Sequence, residues 1–193
     1  MVDLKDRERA LENQFFQKEE AKQIAALREA REKAETKEGL RTASGIDDDG
    51  VLDKLVEIGI SAETVAAVSL VPLVHVAWAD EQIQDNERDA ILQGAHGKGI
   101  EEGSGAYELL AGWLKGKPGK ELLAAWSGYI EALEDQLTAE QFQILRRQVI
   151  DRARAVAAAA GGFLGLKTIS DSEERALARL EATFDAAASR QDE

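Results

Sequence analysis

One segment of this chain occurs twice, and the repetition narrows the folds open to it more than any other feature. Val74 to Leu92 reads VHVAWADEQIQDNERDAIL, and Ala160 to Ala178 reads AGGFLGLKTISDSEERALA. Overlaid without a gap, Ile83 meets Ile169, Asp85 meets Asp171, Glu87 meets Glu173 and Ala90 meets Ala176. Each copy runs from a small-apolar helix through a short polar loop into an acidic helix start. A unit repeated inside one domain implies two related helix–loop–helix halves packed against each other.

Composition agrees with an all-α fold. Two prolines, few aromatics and abundant alanine favour helix. The 44% hydrophobic content is enough for a real core in one domain with an appendage. The absence of cysteine removes disulfides, thiolate metal sites and a cysteine nucleophile, and suits a reducing cytosol. The net charge of −13 is uneven: residues 1–38 hold nine Lys/Arg against ten Asp/Glu, so the rest carries −12. Such a domain repels phosphate backbones, which argues against nucleic acid and for a cation or a basic partner. The start, MVDLKDRERA, shows no secretory signal. The longest apolar stretch, Val65 to Ala79, is about fifteen residues and is broken by Ser69, Pro72 and His75, short of the roughly twenty that span a membrane.

Residues 1–38 read as a long charged helical arm. Leu4, Leu11 and Phe15 share one helical face, and Phe16, Leu27, Ala30 and Ala34 a displaced stripe. So narrow a strip buries little in isolation and should dock on something. Docking on its own domain is one reading. Self-association or a protein partner, through Leu11, Phe15, Phe16 and Leu27, is the other. Residues 39–50, GLRTASGIDDDG, read as a linker whose aspartates cap the next helix rather than bind calcium. The domain follows over 51–188 and a frayed tail over 189–193. Within it the pattern predicts helices over 51–58, 62–79 (kinked at Pro72), 85–95, 105–115, 121–135, 139–160 and 171–188. Ser104 caps one of them, and Thr138–Gln141 and Ser170–Glu173 form capping boxes.

Four carboxylates, Asp80, Glu81, Asp85 and Glu87, crowd the loop of the first copy. Hard cations such as calcium or magnesium take such oxygen ligands. Helix-end chemistry explains the same residues: Asp80 ends one helix, Asp85 caps the next, Glu87 complements its dipole, and Ile83 plugs the core. An EF-hand is excluded, because Val76 and Trp78 stand where its earlier ligands belong. His75 reads as a core histidine with its polar atoms satisfied, and two histidines without cysteine make structural zinc improbable. Neither histidine sits in a hydrolytic motif, and no strand precedes the glycines at 94–105. Arg146, Arg147, Arg152 and Arg154 form a basic helix face, either solvated or open to an acidic neighbour.

The run LVPLVHVAWAD from Leu70 to Asp80, followed by Ile83 and Glu87, resembles the tellurite-resistance TerB-like family, and an echo runs from Leu164 to Leu180. The resemblance spans about 51–188. It implies a compact all-α bundle of two pseudo-repeated helical halves, here with a long N-terminal arm. It also implies acidic positions that hold divalent cations, matched by Asp80, Glu87 and Glu173. The family's glycine after Asp80 is replaced by Glu81, and its second aspartate by Leu166. The arm around Asp6–Glu12 and Phe15 is faintly similar to zeta-type inhibitors of bacterial ATP synthase. The expectation is a non-enzymatic cytoplasmic adaptor or scaffold of a bacterial stress or metal-resistance system. It would not insert in the membrane, though its complex could lie close to one, and its loop could hold calcium or magnesium. The alternative is a regulator acting through its arm on a partner complex.

Overall fold

Capping chemistry sets most of the element boundaries in the computed structural model, which describes residues 31–160 and 169–189 together with Lys22 and Arg28. Among the described residues every regular element is helical. Helix α1 covers 31–44, α2 Asp49–Glu57, α3 Val71–Ala77, α4 Asp85–His96, α5 Gly105–Lys115, α6 Lys120–Glu134, α7 Ala139–Ala160 and α8 Asp171–Ala188. The side chain of Asp48 accepts from Val51 N–H at 2.8 Å and starts α2. Ser104 starts α5 in the same way. The Thr138–Gln141 and Ser170–Glu173 boxes open α7 and α8. Each satisfies backbone donors that a helix start leaves orphaned.

At the centre lies α3. Six of its seven residues are buried, and it packs against α4, α6, α7 and α8. A helix apolar on every side belongs in the interior. Around it, Trp126 of α6 meets Phe184 of α8 edge-on at 5.8 Å, and Phe142 of α7 lies 5.5 Å from the same ring. All three aromatic side chains are buried. Helices α4 and α7 pack together, as do α2 and α6.

Two segments differ from the sequence expectation. The 62–79 helix does not kink at Pro72. It divides into a turn, a 3₁₀ segment Val65–Leu70 and α3, with Pro72 in the first turn of α3. A proline there lacks an N–H that would have had no helical partner anyway, so it begins a helix instead of bending one. The stretch expected as a linker over 39–50 is helical to 44, and both Leu40 and Ile46 are fully buried. Helix α1 is pinned to α2 by Lys37, which reaches Asp53 at 2.8 Å and Asp49 at 3.2 Å. Arg41 also pairs with Asp49. Gly45, at φ 72°, turns the chain in a left-handed conformation that costs glycine little. Among the described residues no helix is long and apolar enough to cross a membrane.

Candidate functional site

The acidic loop joins α3 to α4. Asp80 Oδ1 accepts from Gln82 N–H at 3.1 Å. Glu81 sits at φ 71°, the only described residue other than glycine with a left-handed backbone. That conformation costs a side-chain-bearing residue about 1–2 kcal/mol. Its carboxylate receives Lys117 Nζ at 2.5 Å. Ile83 packs half-buried against the core. Asp85 is exposed in the first turn of α4. Glu87 is 2% exposed and accepts from Gln84 N–H at 2.8 Å. The four carboxylates thus serve an Asx turn, an ion pair, a helix dipole and a cap. Among the described residues no three potential metal ligands converge.

The structure instead relates Glu87 to Glu173. Both are third residues of their helices, both accept from the backbone of the residue before the helix, and both are buried. Burial raises the Glu87 carboxyl from 4.5 to about 7. The Gln84 N–H partly opposes this, while the charges of Glu173 and Asp80 add to it. A carboxyl in this environment gains or loses its proton near neutrality.

A second place went unseen in the sequence. His75 of α3 and Trp78, just past its end, border a cleft shared with Lys117 in the α5–α6 turn and Arg179 of α8. Trp78 Nε1 donates to Trp113 O at 2.8 Å. His75 is half-buried, and its Nε2 is buried without a hydrogen-bond partner among the described residues, so it is not the satisfied core histidine expected. Burial, then the charges of Arg179 and Lys117, push its pKa below the usual imidazole value and so favour the neutral ring. His96 stacks on Tyr107 at 6.2 Å. The signal that could have found the cleft is the i,i+4 pair Arg175–Arg179 on the amphipathic α8. The basic face noted on α7 is spent inside the molecule, in part: Arg146 pairs with Asp185 at 2.8 Å, and Arg154 reaches Glu174 and Glu181 at 3.7 and 3.6 Å.

Leu11, Phe15, Phe16 and Leu27, expected to bind a partner, lie outside the described residues, as does Leu166 of the second copy. No protein-family model matches the chain, and no curated protein or solved structure matches it either.

Proposed function

We propose that this chain is a non-enzymatic helical adaptor whose docking surface is the charged N-terminal arm, carried on a helical body. The observation that carries the reading is the way α1 is mounted. Its base is fixed by buried Leu40 and by the Lys37 and Arg41 ion pairs. Residues 31–35 of it are exposed on every side. A helix with no buried face gains little from its own domain, and a partner would supply the missing burial.

The TerB-like resemblance of Leu70 to Glu87 supplies the setting: a cytoplasmic bacterial stress or metal-resistance assembly. Within this reading the acidic loop works as structure rather than as a metal centre, because Asp80, Glu81 and Glu87 each already hold a partner. The reading is tested by comparing the 193-residue chain with one starting at Arg31. A cut at Arg31 keeps Leu40 and Ile46, which removal through residue 49 would strip from the core. A loss of self-association or of a captured partner is the expected result. Identical mass and identical partners in both forms would defeat it.

A further inference from the structure

In a chain of net charge −13, one cleft gathers cations. It lies between α3, α8 and residues 116–119, the turn joining α5 to α6. Its deeper part is a cavity of about 280 Å³ bordered by the buried side chains of Val71, Val74 and Leu122. An adjoining hollow of about 230 Å³ shares His75, Trp78, Lys117 and Arg179 with it and adds Arg175. No Asp or Glu lines either part among the described residues. Lys117 is paired with Glu81. Arg175 and Arg179 form no ion pair among the described residues. His75 lines both parts, and its Nε2 is enclosed by protein without a partner among those residues.

Shape and charge agree on one kind of ligand. An apolar wall beside unneutralised guanidinium groups fits a molecule with a greasy body and an anionic head. Guanidinium groups hold carboxylate or phosphate oxygens in paired, charge-assisted hydrogen bonds. At about 30 Å³ for each water-sized unit, the deeper cavity takes roughly nine heavy atoms.

We propose that this cleft binds a small amphipathic anion, with an apolar body against Val71, Val74 and Leu122 and a single carboxylate or phosphate head held by Arg175 and Arg179. The site stands independently of the adaptor reading, since none of its residues belongs to the arm.

The test is calorimetric titration of the 193-residue protein with octanoate, octyl phosphate, 1-octanol and inorganic phosphate. At least one octyl anion should bind at one site per chain, at least about tenfold more tightly than either octanol or inorganic phosphate. Whichever octyl anion binds tighter identifies the head group. The double substitution Arg175→Gln/Arg179→Gln changes only exposed side chains, so folding should be unaffected, and affinity should fall at least about tenfold. The proposal is overturned if neither octyl anion saturates a site, if octanol binds as tightly as the anions, or if the double arginine variant keeps the parent affinity.

Discussion

Replacing Glu87 by glutamine should remove one defined component of the pH dependence of stability. In the folded chain this carboxyl titrates at about 7, against 4.5 for an unburied glutamate. The folded state therefore holds the proton more tightly than the unfolded state does. That contribution is fully present below about pH 4.5 and is lost as pH rises through 7. Between pH 5 and pH 8 the loss is on the order of 2 kcal/mol, from about 1.4 kcal/mol for each pH unit crossed within the window. Glutamine resembles the protonated acid, and its side-chain oxygen can still accept from Gln84 N–H, as in a capping box. The variant should thus match the parent at pH 5 and exceed it by about 2 kcal/mol at pH 8. Urea unfolding of both proteins at the two pH values measures this. Subtracting variant from parent cancels the groups that do not act on Glu87, including Asp49, whose carboxyl Arg41 and Lys37 hold below its usual value. A difference that stays constant from pH 5 to pH 8, or a variant less stable at pH 8, would refute the reasoning.

Leu40→Ala should cost about 2–5 kcal/mol in chemical unfolding, because it empties a fully buried position that a linker would not occupy; a loss under about 0.5 kcal/mol would return residue 40 to the surface. Glu81→Gly should be more stable than Glu81→Ala by about 1 kcal/mol, the reverse of the usual order, since both lose Lys117 but only glycine relieves the left-handed backbone. Thermal unfolding of the pair decides this, and an alanine variant at least as stable as the glycine one would remove the strain argument.

Helix starts were legible in the sequence because their chemistry is local. Ser104, Thr138 with Gln141 and Ser170 with Glu173 lie within four residues of the backbone groups they satisfy. The all-α class followed from composition: two prolines, few aromatics and abundant alanine. What escaped the sequence depends on neighbours distant along the chain. Leu40 is one apolar residue among charged and small ones, and only its packing in the folded chain makes 31–44 part of the body. Pro72 carries the same local signal whether it kinks a helix or begins one; the 3₁₀ segment before it decided the matter. The acidic loop looked like a ligand set because its carboxylates are close in sequence, yet their partners, Lys117 above all, come from elsewhere. The cleft was invisible for the converse reason: His75, Lys117 and Arg179 are far apart in sequence and meet only when α3, the α5–α6 turn and α8 assemble.

In the proposed adaptor reading the body folds by itself and the residues before Arg31 do the docking. Light scattering of the 193-residue chain and of the chain starting at Arg31, each followed by affinity capture from a lysate of the parent organism, tests this most directly. The account expects both forms to fold with the same helical body, and the shorter form to lose either a higher mass or a captured partner. Equal masses and the same captured proteins from both forms would contradict it.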